Sequence, residues 1–220
     1  MIETLLPASA VAVEAFADVP GEAPYPGEED LVAKAVEGRR REFITARRCA
    51  RSALAALGSP ASGPIRPGPR REPLWPTGVV GSITHCAGYR AAAVAQRNSL
   101  ASIGIDAEPH DRLPEGVHGA VTLGLEREHL QQLANEDPWV HWDRLLFSAK
   151  ESVYKAWYPL TGRWLDFHEA ELSFDRKTAR FRARILTDGT RRDAGTPLTE
   201  MNGRFLVAGG LILTAVSVFA

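Results

Sequence analysis

Residues 58–78, "GSPASGPIRPGPRREPLWPTG", constrain the fold more than any other stretch, because so much proline and glycine cannot form regular structure. The stretch separates an arginine-rich segment with helical spacing, Leu31 to Leu57, closed by Gly58, from three β-like runs, "GVVGSIT", "YRAAAVAQ" and "ASIGIDAE". The second and third runs are parted by a turn at Arg97-Asn98-Ser99. A helix is expected near 123–134, and a longer one from about Pro138 with Asp137 as its cap. Strand patterns return after Leu165 in "AELSFD", "RFRARIL", "RFLVAGG" and "LILTAVSV". Helix followed by antiparallel strands thus occurs twice, without a residue-level repeat. The expected fold is α+β: two pseudo-symmetric halves, 1–105 and 106–220, each an antiparallel sheet packed with helices, forming one compact unit with a cleft between them.

At 220 residues, 45% hydrophobic and 24% charged, the chain can bury a core and is not compositionally disordered. A formal net charge of -1 excludes polyanion binding by bulk charge, so any basic site must be local. Cys49 and Cys86 stand without a CxxC or paired histidine spacing, which argues against a disulfide framework or structural zinc and for a reduced, cytoplasmic setting. The first residues lack a basic region and carry Glu3, Glu14 and Asp18, unlike a signal peptide. The apolar tail "FLVAGGLILTAVSVFA" falls short of the roughly 20 residues of a membrane helix and reads as buried strand with a Gly-Gly turn.

Three constellations could carry chemistry. In "IGIDAE", residues 103–108, alternation puts Ile103 and Ile105 on one face and Gly104, Asp106 and Glu108 on the other, and Pro109 ends the pairing. Two carboxylates over a residue without a side chain suit a hard divalent ion; an edge strand with two solvated acids is the alternative. In "FSAKESVYK", residues 147–155, Glu151 and Lys155 share a helix face while Lys150 lies about 100° around the axis. Bulky neighbours nearly all round predict a buried helix, whose charges need partners; the alternative is an exposed ion pair of little energetic worth. In "RRREFITARRCAR", residues 39–51, Arg40, Arg47 and Arg51 form a stripe beside Phe43, Ala50 and Leu54, a basic rim suited to phosphate, a solvated face or a nucleic acid. Between these segments, the small residues of "GSITHCAGYR" could cradle a phosphate through close backbone amides, Ser82 and His85. Adjacent His85 and Cys86 do not suit a catalytic pair, whose members meet from distant positions.

In this order, "GSITHCAG", "IGIDAE" and "FSAKESVYK" resemble the three signature motifs of the 4'-phosphopantetheinyl transferases, in the larger Sfp-type group. The likeness spans residues 39–167, and "HWDRLLFSAKESVYKAWYPLTGRWL" is similar to the actinobacterial branch. The resemblance implies transfer of 4'-phosphopantetheine from coenzyme A to a serine of an apo acyl or peptidyl carrier protein, releasing 3',5'-ADP. It implies magnesium, or manganese with the same oxygen ligands, held by Asp106, Glu108 and Glu151. Glu151 is implied as the base and Lys155 as the group that meets the departing ADP. Arg39, Arg47 and His85 are implied at the coenzyme A phosphates, with Lys150 and Lys155 at phosphate oxygens. Where the family often has a Gly-Lys-Pro element, this chain has "PRREPLWP", so Arg66, Arg70 or Arg71 would substitute for the lysine. Trp164 is expected either in the pantetheine channel or in the core. Expected partners are carrier proteins of fatty acid, polyketide or nonribosomal peptide synthases, served by a monomer without membrane or nucleic acid. A metal-dependent nuclease is the rival enzyme. A non-catalytic coenzyme A or carrier-binding module is the rival from another class, disfavoured by the complete set Asp106, Glu108, Glu151 and Lys155.

Overall fold

The computed structural model describes residues 1–60, 63–114 and 116–220. A three-stranded antiparallel sheet is ordered β1-β3-β2, from β1 (Ala10–Ala15), β2 (Val79–Cys86) and β3 (Tyr89–Gln96). The second antiparallel sheet is ordered β4-β8-β7-β6-β5, from β4 (Leu100–Pro109), β5 (Ala170–Asp175), β6 (Arg180–Ile185), β7 (Glu200–Ala208) and β8 (Leu211–Phe219). The helices are α1 (Glu29–Val32), α2 (Glu37–Ala56), α3 (Val117–Val121), α4 (Gly124–Glu136) and α5 (Trp142–Thr161). Two antiparallel sheets packed with helices agree with the α+β expectation. Residue 105 lies inside β4, whose main-chain pairing is with β8.

Helix α2 packs Cys49, Ala50, Ala53 and Leu54 on one face of the small sheet, against Ala92 and Val94. The alternate residues Ala91, Ala93 and Ala95 turn the other way, onto Ile103, Ile105, Leu213 and Ala215 of the large sheet. Strand β3 is thereby covered on both faces, which its run of small apolar residues permits. Helix α5 covers the remaining face of the large sheet with Leu145, Leu146, Val153 and Trp157, against Phe174, Phe205, Ile212 and Val216.

Strand β4 alternates as expected: Ile103 and Ile105 lie in the layer between sheets, while Gly104 faces α5. A Cβ on Gly104 would fall 1.9 Å from the Ser152 carbonyl oxygen and 2.7 Å from the Ala156 nitrogen. Absence of a side chain therefore lets α5 lie directly on the strand. Across the sheets, Ser82 Oγ accepts from the Ile105 amide at 3.1 Å and Thr84 Oγ1 accepts from the Ala107 amide at 3.0 Å.

The expected helix from Leu31 to Leu57 is interrupted, because α1 ends at Val32 and Val36 is extended before α2. Asp137 ends α4, its amide bonded to the Leu133 carbonyl, and α5 begins four residues beyond Pro138 rather than at it. Strand β1, within the apolar start, pairs with β3. The Gly209-Gly210 turn, with φ of 61° and 76°, links β7 to β8 as the sequence suggests. Among the described residues, no helix is long and apolar enough to cross a membrane.

Candidate active site in the cleft between the sheets

Asp106 is brought beside Lys155 by the close packing of β4 and α5, with Lys155 Nζ 2.6 Å from Asp106 Oδ1 and 3.2 Å from the Ile105 carbonyl oxygen. Thr84 Oγ1 lies 3.4 Å from the same carboxylate oxygen, whereas the buried Asp106 Oδ2 has no hydrogen-bond partner among the described residues. An orphaned buried carboxylate oxygen is costly unless a cation or a water meets it. Two residues on, Glu108 Oε2 accepts from Arg144 at 2.9 Å. Burial and the Asp106 charge push the Glu108 carboxyl above its ordinary value, against the pull of Arg144. Burial raises Glu151 as well, followed by Asp106, with Lys155 opposing. The acids thus repel one another in a poorly solvated place, and a hard cation with oxygen ligands would relieve this. Among the described residues, no three His, Cys, Asp or Glu side chains already enclose a point where a metal ion would sit.

Three cavities open around these residues. The largest, about 710 Å³, runs between the halves and is lined by Leu74, Trp75, Ser82, Glu151, Tyr154 and Lys155. A second of about 440 Å³ is lined by Arg39, Phe43, Arg47, Arg71, Ile83 and His85, and Arg71, Pro73 and Ile83 border both. A small pocket of about 110 Å³ lies under Tyr154, Trp164, Leu165 and Phe167.

The second cavity is basic. Arg47 is buried, its guanidinium stands 4.7 Å over the Phe43 ring, and Arg47 Nε has no partner among the described residues. Burial lowers it to about 10, so it remains charged near neutrality, and no carboxylate among the described residues is bonded to it. His85 is pushed down to about 4, first by burial and then by Arg39, whose Nη1 is 2.5 Å from Nε2. At neutral pH it is an uncharged ring that can accept from Arg39. The folded value lies below the ordinary 6.5, so the unfolded chain binds more protons between these limits. Stability from neutral His85 is therefore present above about pH 6.5 and lost as pH falls toward about 4. Urea midpoints at pH 5 and 7 should differ more for the wild type than for His85→Gln.

The other expected site residues take different positions. Ser82 reaches the large cavity but commits its oxygen to the Ile105 amide. Arg70 borders that cavity and lies 5.8 Å over the Trp164 ring. Arg66 is held by Asp30 at 2.6 and 2.8 Å and by the Gly27 carbonyl at 2.7 Å and does not line the basic cavity, although the adjacent Pro67 does. Lys150 departs most from expectation. Its ammonium donates to the carbonyls of Val121 (2.8 Å) and Phe167 (2.6 Å) and to Glu126 (2.9 Å), which uses all three protons. Glu126 also accepts from the Leu123 and Leu172 amides. Lys150 consequently ties α5 to α3, to α4 and to the segment before β5, and Glu126 extends the link to β5 itself, instead of Lys150 presenting donors to phosphate. Lys150→Met strands the Glu126 carboxylate inside and should lower unfolding free energy by about 3–5 kcal/mol in urea titrations.

Sequence reasoning passed over Arg144, although it lies in a segment that was singled out, because its role depends on partners from other elements. Arg71 borders both cavities with φ of 68°, a left-handed backbone at a non-glycine residue. Residues 27–95 match the family model described as the 4'-phosphopantetheinyl transferase N-terminal domain, and residues 102–199 match that of the 4'-phosphopantetheinyl transferase superfamily. The chain is 52% identical to 4'-phosphopantetheinyl transferase Npt of Nocardia iowensis, over 99% of both chains. It is 48% identical to PptT of Mycobacterium tuberculosis, over 98% of this chain and 97% of that one. It is 53% identical to Svp of Streptomyces mobaraensis, over 100% and 90% respectively. Matches across both halves and nearly the full length of these relatives place the chain in the 4'-phosphopantetheinyl transferase superfamily, whose enzymes move 4'-phosphopantetheine from coenzyme A to carrier proteins.

Proposed function

We propose that this transfer takes place in the cleft, with coenzyme A phosphates in the arginine-lined cavity and a divalent ion, magnesium first, on Asp106, Glu108 and Glu151. The observation that carries this reading is a pair of buried groups without partners among the described residues: Arg47 Nε, a cation lining the basic cavity, and Asp106 Oδ2, an anion whose other oxygen is held by Lys155 at the large one. The buried cation suits the 3'-phosphate of coenzyme A, and the orphaned carboxylate oxygen suits a metal ion. Arg39 and His85 join Arg47 at the phosphate. Arg70 and Arg71 border the large cavity, where one of them takes the place of the family's lysine.

Asp106, Glu108 and Glu151 would hold the magnesium ion, which when bound would supply charge neutralisation at the pyrophosphate. Glu151, whose burial strengthens its hold on a proton, takes the proton of the carrier serine directly or through water. The serine oxygen bonds to the β-phosphorus as the bond to 3',5'-ADP breaks. Lys155, with two protons on Asp106 and the Ile105 carbonyl, has a third for the departing phosphate. Tyr154 and Trp164, with ring centroids 4.9 Å apart, border the small pocket offered to the pantetheine arm.

The proposed acceptors are acyl and peptidyl carriers of fatty acid, polyketide or nonribosomal peptide synthases. The unpaired Cys49 and Cys86 support a cytoplasmic setting. Intact-mass spectrometry of an apo carrier incubated with the protein, coenzyme A and magnesium should show a gain of one phosphopantetheine, lost with chelator and restored by excess metal. Chelator-resistant transfer would remove the metal assignment. Separately, Arg47→Ala should weaken coenzyme A by about 10–100-fold and dephospho-coenzyme A far less in calorimetric titrations. Equal losses would cancel the 3'-phosphate role.

A further inference from the structure

Arg144, in the first turns of α5, lies outside both cavities yet commits its whole fork to the end of β4 and the segment just beyond the strand. Nη1 donates to Glu108 Oε2 at 2.9 Å, Nε to the Asp111 carbonyl at 3.1 Å and Nη2 to the Arg112 carbonyl at 2.6 Å. The preceding residue, Asp143, accepts from the Leu113 amide at 3.0 Å. Two successive side chains of α5 thus clamp 111–113 and one carboxylate oxygen of Glu108. The pair is largely shielded, with 15% and 20% of the two side chains exposed, so it is more than a solvated surface contact. Glu108 Oε1, by contrast, has no hydrogen-bond partner among the described residues.

We propose that Arg144 is a positioning residue, which fixes Glu108 by one oxygen so that the other is presented to the divalent ion, and which anchors the chain leaving the site. The inference rests on the proposed metal assignment. A planar guanidinium suits the task because it satisfies a carboxylate and two carbonyls at fixed angles, as an ammonium cannot. Partners that orient a ligating carboxylate typically contribute 10–100-fold to metal affinity.

The test is direct manganese binding, followed by electron paramagnetic resonance, with the intact protein carrying Arg144→Met, Arg144→Lys or Asp106→Asn. Amide exchange across 110–114 is measured on the same samples. Arg144→Met should bind manganese about 10–100-fold more weakly, with faster exchange at Leu113, while its affinity for coenzyme A without metal stays unchanged. Arg144→Lys keeps the charge but not the fork and should fall between; it carries the test should the methionine variant fail to fold. Wild-type manganese affinity in the Arg144 variants, together with its loss in Asp106→Asn, overturns the positioning role and leaves the metal site standing. No manganese binding by the wild type overturns the metal assignment and this inference with it.

Discussion

Glu151→Gln should leave coenzyme A bound and stop transfer. The amide keeps the size of the carboxylate but cannot take the serine proton, and it is a poor ligand for a hard dication. Losing a general base alone lowers rates by about 10²–10⁴-fold, and losing a metal ligand adds to that. Binding should survive because the proposed phosphate contacts of Arg39, Arg47 and His85 border the neighbouring cavity, which Glu151 does not line. Carrier modification followed by intact mass gives the rate, and calorimetry gives the affinity. Undiminished turnover would take Glu151 out of the chemistry, whereas lost binding would move it to substrate recognition.

Gly104→Ala should be strongly damaging for the addition of a single methyl group. The new Cβ would meet main-chain atoms of Ser152 and Ala156, and a backbone contact cannot be relieved by rotating a side chain. Helix α5 must lift from β4. Overpacking of this kind costs about 1–3 kcal/mol or more. The loss also has a functional signature, because the 2.6 Å contact of Lys155 with Asp106 spans the same two elements. Urea denaturation should show reduced stability, and transfer should fall even in the fully folded fraction. Unchanged activity at lowered stability would mean that the strand and helix need not meet so closely for catalysis.

The sequence made these elements unequally legible. Alternation in "IGIDAE" placed Asp106 and Glu108 correctly on one face, because strand periodicity is a local property. Burial of α5 was legible from bulky residues around its whole circumference. The fate of Lys150 was not, since its acceptors, Val121, Glu126 and Phe167, belong to three separate segments brought together only by folding. Strand β1 went unread because its short apolar alternation lies among residues that suggested only what they were not. The start of α5 was misplaced because Asp137-Pro138 carries the local signature of a helix beginning, while the chain uses the aspartate to finish the preceding helix.

The hydroxyls of Ser82 and Thr84, each bonded to an amide of β4, bear on how the cleft can open. They act as two pegs along one seam, two residues apart on both strands, so sliding one sheet past the other must withdraw both pegs together. Shear is the motion they resist most. The floor of the cleft is accordingly pinned, whereas residues 69–78 and the turn holding Trp164, which line its walls, lie outside either sheet and are not held by these pegs.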